Sequence, residues 1–178
     1  MRRLLYIALM FCLLAACSDD ARIAAVLSRV DSLMSGRPDS ALTLLDSALH
    51  SGAGTEHQQA QLRLRRLNAI NKLDTVFTTA RIAQAQALAD HFDRQGTPNE
   101  RMLAHYLLGR TYADDGQAPQ AIQSYQEAAD CADTTSTDCD YLQLCIIYTQ
   151  MANLFYSQNL YNYELDCLDN CITFPLIY

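Results

Sequence analysis

The chain has 178 residues, half of them hydrophobic and 19% charged, with six glycines, four prolines and no tryptophan. That is one ordinary domain's length, and the composition excludes collagen-like, mucin-like and wholly disordered classes while favouring helices. A net charge of −7, or −9 once residues 1–16 are set aside, repels phosphate backbones, so no nucleic-acid partner is expected.

Met1-Arg2-Arg3 is a short positive stretch, and Leu4 to Leu14 is an apolar run of eleven residues. A membrane-spanning helix needs ~20 such residues, so the segment 1–16 reads as a secretory signal. No polar, lysine-bearing motif surrounds the paired arginines, which argues against a twin-arginine signal. The run closes as Leu14-Ala15-Ala16-Cys17. This resembles the lipobox of bacterial lipoproteins, a branched residue and two small ones before an obligatory cysteine. The resemblance implies cleavage before Cys17, thioether lipidation of Cys17, and a lipid-anchored place in the outer membrane. The plain alternative is an ordinary signal with a chance cysteine. Ser18-Asp19-Asp20 is similar to the acidic tether of surface-exported lipoproteins, and equally to a solvated linker. The surface and periplasmic faces both stay open.

After a tether over 17–21, apolar residues recur at three and four rather than at two, which is the helical period. Ala25, Leu27, Val30, Leu33 and Met34 form a first stripe, stopped by Gly36-Arg37-Pro38. Pro38-Asp39-Ser40 suits the first turn of a second helix, with Ala41, Leu44, Leu45, Ala48 and Leu49 on its apolar face. Helices are then expected over 59–73, 78–94, 100–115, 119–132, 141–157 and 161–172. The breaks fall at Ser51-Gly52-Ala53-Gly54, Asp74-Thr75, Gly96 to Asn99, Gly116, and the polar stretch 133–140. The expectation is an all-α domain over 22–178, with eight helices in about four antiparallel pairs and no strand.

One pair carries a specific signature. Leu108-Gly109, Tyr112, Gly116, Ala121, Tyr125 and Ala128 stand at the spacings of the tetratricopeptide repeat, which they resemble. Gly109 and Ala121 would let two helices approach closely, Tyr112 and Tyr125 would fill the space between them, and Gly116 would make the turn. His105 stands where the repeat has its first aromatic, and Asp133 where it closes with proline. Met151-Ala152, Phe155, Asn159, Leu168 and Cys171 repeat the pattern 43 residues later, with Glu164 in the slot of an alanine. Gly36, Ala41, Leu45 and Ala48 match only the turn and second helix. The resemblance, to a tetratricopeptide-repeat bacterial lipoprotein, implies a solenoid of stacked helix pairs. The phrases Val30 to Met34 and Arg37 to Ala41 also resemble tetratricopeptide lipoproteins of gut-type anaerobes, some of which are the front parts of longer membrane-bound regulators.

Catalytic chemistry is hard to find in the sequence. His50, His57, His91 and His105 have no partner at metal-ligand spacing and no nucleophile motif beside them, and no glycine-rich phosphate loop exists. Neither a metal nor another cofactor is expected, and the chain does not read as an enzyme. Beyond Cys12 and Cys17, five cysteines remain, and after export they lie in a disulfide-permissive compartment. Cys131 and Cys139 flank the long connection and could staple it, a closure worth about 2 kcal/mol, or stay reduced. Cys167 and Cys171, four apart, read as core residues.

Nine of the ten tyrosines fall after residue 100. The repeat family binds ligands along the face of each pair's first helix. Carried over, this implies a groove of Leu103, Tyr106, Arg110 and Asp114, continued by Ile146, Thr149, Asn153 and Tyr156. Tyrosine and arginine are common binding anchors, combining large area with a polar handle. The same residues could also contact a neighbouring helix or line a wet face. The expected role is a membrane-anchored scaffold holding an unidentified protein or peptide in the cell envelope. Rivals are the sensory front of a longer regulator and an accessory lipoprotein of envelope assembly or nutrient uptake. The apolar ending Phe174-Pro175-Leu176-Ile177-Tyr178 leaves three options: a tail folded back on the array, a docking segment, or a chain that continues.

Overall fold

Every element described is a helix. The computed structural model describes residues 20–73 and 80–173, and among them lie eight helices and no strand. The signal at 1–16, Cys17 and the tail 174–178 lie outside the described residues. The helices are α1 (20–33), α2 (Pro38–Ser51), α3 (Glu56–Lys72), α4 (Ala80–Gln95), α5 (Pro98–Asp114), α6 (Ala118–Asp130), α7 (Tyr141–Ser157) and α8 (Tyr161–Thr173). The chain divides into two compact units, Met1–Thr75 and Val76–Tyr178.

In the first unit, α1 turns Ile23, Leu27, Val30 and Met34 inward at spacings of four, three and four. This is a tighter stripe than the one read from the sequence, where Ala25 was placed on the apolar face; Ala25 is exposed and Ile23 is its buried counterpart. Ala41, Leu45 and Ala48 of α2 meet that stripe together with Leu62 and Ala69 of α3. Arg65 clamps Asp31 with two nitrogens at 2.8 and 3.1 Å, tying α3 to α1. Half of that pair is wet, so it positions the helices more than it stabilises them.

Two helix starts lie ahead of the residues where periodicity alone put them. Helix α3 begins at Glu56 rather than Gln59, and α5 at Pro98 rather than Glu100. Each is opened by a capping box. Thr55 Oγ1 accepts from the Gln58 amide at 3.2 Å while Gln58 Oε1 accepts from the Thr55 amide at 2.9 Å. Thr97 and Glu100 repeat the exchange at 3.3 and 3.0 Å. The reciprocal bonds satisfy two donors that a helix start otherwise leaves open. At the other end, α6 stops at Asp130 instead of Ala132.

In the second unit each helix packs on the next, α4 on α5, α5 on α6, α6 on α7 and α7 on α8. Gly109 of α5 sits against Tyr125 of α6, whose ring is fully buried. Two of the turns inside this unit are alike. After α5, Gln117 N donates to Tyr112 O at 2.9 Å and Gly116 N to Ala113 O at 3.0 Å. After α7, Leu160 N donates to Phe155 O and Asn159 N to Tyr156 O, both at 2.9 Å. Both are six-to-one and five-to-two closures around one left-handed residue, Gly116 at φ +75° and Asn159 at φ +59°. Asparagine is the side chain that best tolerates the conformation glycine adopts freely. The same turn therefore recurs at an offset of 43 residues.

Candidate partner-binding face

The eight residues carried over from the repeat resemblance divide into two groups. On α5, Leu103 is half-buried and Asp114 exposed, but Tyr106 is only 6% exposed. Its ring stacks on Tyr125, with centroids 6.0 Å apart and planes at 28°. In this structure Tyr106 is thus part of the joint between α5 and α6 and not an open anchor. Arg110 is half-buried between helices: one guanidinium nitrogen donates to Gln150 Oε1 of α7 at 3.0 Å, the other to Asp114 Oδ1 at 3.1 Å. Burial alone would lower its pKa, yet the neighbouring Tyr125, Asp114 and Tyr106 outweigh that and hold it above its ordinary value. Arg110 is a permanent cation joining α5 to α7.

On α7 the picture differs. Ile146 is half-buried, and Thr149, Asn153 and Tyr156 are exposed, Tyr156 at 61%. Leu142 stands one turn before Ile146 and is 74% exposed. Sequence reading passed over Leu142, although 142, 146, 149, 153 and 156 form one unbroken stripe at spacings of four and three. The Thr149 hydroxyl donates back to Cys145 O of its own helix at 2.9 Å, so it asks for no further partner. At the end of the stripe Tyr156 meets Tyr161 of α8 edge-on at 5.9 Å, and on α8 Tyr161, Tyr163 and Leu165 are each more than half exposed. Single exposed apolar side chains are ordinary, but among the described residues the large exposed ones, Leu142, Tyr156, Leu160, Tyr161, Tyr163 and Leu165, all fall between positions 142 and 165.

Elsewhere the polar groups are structural. His105 is buried, with Nε2 2.9 Å from Asp93 Oδ1 of α4 and Nδ1 3.3 Å from Glu127 Oε2 of α6. The sequence marked His105 as a packing residue in an aromatic slot; the two carboxylates were not foreseeable, because they come from neighbouring helices. A cleft of about 340 Å³ lies where Pro98 and Asn99 meet Ser136 and Cys139. There the Asn99 amide holds the 131–140 connection, donating to Asp138 O at 2.6 Å and accepting from Asp140 N at 3.1 Å. Among the described residues no group of three histidine, cysteine or acidic side chains is placed to hold a metal ion. No described helix is long and apolar enough to cross a membrane.

Cys131 and Cys139 are free thiols, so the staple considered across their connection is not formed here. Burial pushes both thiols above their ordinary range, Cys131 more fully enclosed than Cys139. Cys167 is also free and sits in the core, as its helical spacing implied. Cys145 is disulfide-bonded, and its partner is none of these three. No family model matches the chain, and no curated protein sequence matches it.

Proposed function

We propose that this chain is an exported, lipid-anchored protein of the tetratricopeptide type that works by holding another protein or peptide at the outer membrane. The observation that carries the binding role is the α7 stripe Leu142–Ile146–Thr149–Asn153–Tyr156, exposed save for half-buried Ile146, whose last four positions are those that the repeat resemblance implies for a ligand face. Supporting the repeat architecture are the duplicated turn at Gly116 and Asn159 and the close seat of Gly109 against Tyr125. Each lies at the signature position that the family would require. Supporting the anchor is the lipobox ending at Cys17, which follows a positive and then an apolar segment.

Binding of this kind needs no catalytic group. A rigid helix pair presents aromatic and aliphatic side chains already ordered, so little conformational entropy is lost when a partner docks. The partner contributes the remaining apolar surface and the hydrogen bonds that Asn153 and Tyr156 can complete.

The experiment is in-cell photo-crosslinking from a benzophenone amino acid at position 156, with position 123 on α6 as control. Gln123 is exposed and lies outside the stripe. One discrete adduct from position 156, absent from 123, supports the scaffold role. Equal or no adducts from both positions would end it. Metabolic labelling with an alkynyl fatty acid, lost in Cys17→Ser, tests the anchor separately.

A further inference from the structure

We propose that the α7 stripe receives a cationic amphipathic segment, a stretch of partner protein carrying lysine or arginine beside its apolar side chains. This rests on the peptide-binding role proposed above and adds the chemistry of what is bound.

The argument is the distribution of charge around the stripe. All thirteen lysines and arginines and all four histidines lie at or before Arg110. The 68 residues from 111 to 178 contain ten acids and no base, a formal charge of −10, whereas residues 20–110 carry about +2. Helices α6, α7 and α8 therefore present one sign of charge only. Arg110, the last cation of the chain, is engaged with Asp114 and Gln150 where α5 meets α7. Its charge is matched by the Asp114 carboxylate at 3.1 Å. On α8 itself Asp166 and Asp169 are exposed on the same helix as Tyr163 and Leu165.

An apolar row set in a field of one sign selects by charge as well as by shape. Apolar contact supplies affinity, while the acids speed encounter with a basic segment and repel an acidic one. The same field disfavours anionic lipid headgroups, nucleic acid and an acidic peptide. It also disfavours a second copy of this unit, Val76–Tyr178, which would bring −9 against −9.

The test uses the full chain in non-ionic detergent and three fluorescein-labelled 18-residue amphipathic helical peptides, identical in their leucine face. Their polar faces are lysine, glutamine or glutamate. Fluorescence anisotropy is read at 20 and 300 mM NaCl, on the native chain and on Leu142→Glu/Tyr156→Glu. Both substituted positions are exposed, and circular dichroism checks that the helices persist. The lysine peptide is expected to bind at least about tenfold more tightly than the glutamine peptide, and to weaken about tenfold at the higher salt. The double variant should lose most of that binding, and Asp166→Asn/Asp169→Asn should flatten the salt dependence. Equal binding of the lysine and glutamine peptides would overturn the charge selection while leaving peptide binding intact. Lysine-peptide binding that survives the double variant is diffuse attraction and overturns the site. Binding of none of the three, together with no crosslink from position 156, overturns the peptide-binding role as well. Sedimentation velocity showing a dimer that the double variant dissolves would assign the face to a second copy and overturn the proposal.

Discussion

Gly109 and Tyr125 are in direct contact: a Cβ added at position 109 would lie 2.5 Å from both Cδ1 and Cε1 of the Tyr125 ring. Real Cβ atoms do not come so near, and the ring, fully buried, has no room to retreat. The Ala121 carbonyl, 3.2 Å from the same point, closes the other side. At an exposed helical position Gly→Ala would stabilise by about 1 kcal/mol through helix propensity. Here overpacking dominates. Gly109→Ala is expected to lose about 2 kcal/mol, a fall in Tm of roughly 10 °C. Gly109→Ala/Tyr125→Leu should recover part of the loss, since the smaller side chain frees the space. An unchanged Tm for Gly109→Ala would show that α5 and α6 are further apart than this contact requires.

Tyr125 also carries a buried phenolic oxygen that faces the Arg110 guanidinium. Burial pushes its ionisation far above the ordinary tyrosine value, with Arg110 drawing it partway back. The unfolded chain titrates near about 10, so folded protein holds this proton more tightly than unfolded protein does. Stability from this group is complete below about pH 10 and is lost progressively as pH rises above it. Tyr125→Phe should therefore flatten the alkaline decline of Tm between about pH 9 and 11. At pH 7 it should cost about 1–2 kcal/mol, because the hydroxyl's interaction with the Arg110 guanidinium is removed. Thermal melts of both proteins across that range decide the matter, and parallel curves would refute the assignment.

The two similar turns should respond differently to the same change. Gly116 at φ +75° has open space around a would-be Cβ, so Gly116→Ala meets only the backbone penalty of about 1 kcal/mol. Asn159 at φ +59° already bears a side chain in that region, and its Oδ1 accepts from the Tyr161 hydroxyl at 2.9 Å. Asn159→Gly should relieve backbone strain and lose this exposed bond, leaving stability within about 0.5 kcal/mol. Urea unfolding measures both. A large loss for Asn159→Gly would mean that the bond to Tyr161 holds the start of α8.

How far the sequence reveals this molecule depends on whether a feature is local. Helix α7 runs over the residues that periodicity predicts, because Asp140 caps it and a continuous apolar pattern fills it. The close approach at Gly109 was legible through the repeat resemblance, which implies small residues at 109 and 121 with tyrosines filling the space between, while the direct contact of Gly109 with Tyr125 is what the structure adds. The starts of α3 and α5 were misplaced because capping boxes are polar and lie outside the apolar period. Tyr106 was read as a groove anchor from its helix position alone. Its burial depends on the ring it meets on α6, which helical spacing does not encode. Leu142 was missed for the opposite reason. A leucine at a helix start looks like core until the neighbour that would cover it is found not to be there among the described residues.

The cysteines give a prediction that needs no variant. Under non-reducing conditions at pH 7.5, iodoacetamide should label Cys131 and Cys139 slowly in the folded protein, since burial keeps both thiols protonated. Rates should climb only at a more alkaline pH than a free cysteine requires. Cys167, in the core, should label only after denaturation, and Cys145 only after reduction. Peptide mapping reads all four sites, and a linked Cys131–Cys139 peptide would contradict the free thiols.

His105 poses a question of magnitude between packing and its contacts with two carboxylates. Its ring is buried, whereas Asp93 and Glu127 are 48% and 44% exposed and can take water if the imidazole is removed. Half-exposed polar contacts of this kind contribute about 1 kcal/mol or less. Emptying a buried site between three helices costs about 2–4 kcal/mol. His105→Phe keeps the volume and abandons both carboxylates, so it should lose no more than about 1 kcal/mol. His105→Ala abandons both and leaves a cavity, and should lose at least about 2 kcal/mol more. Chemical denaturation of the two variants separates the contributions. If His105→Phe proved as damaging as His105→Ala, the bridge from α4 through α5 to α6 would be what secures this unit, and packing would be secondary.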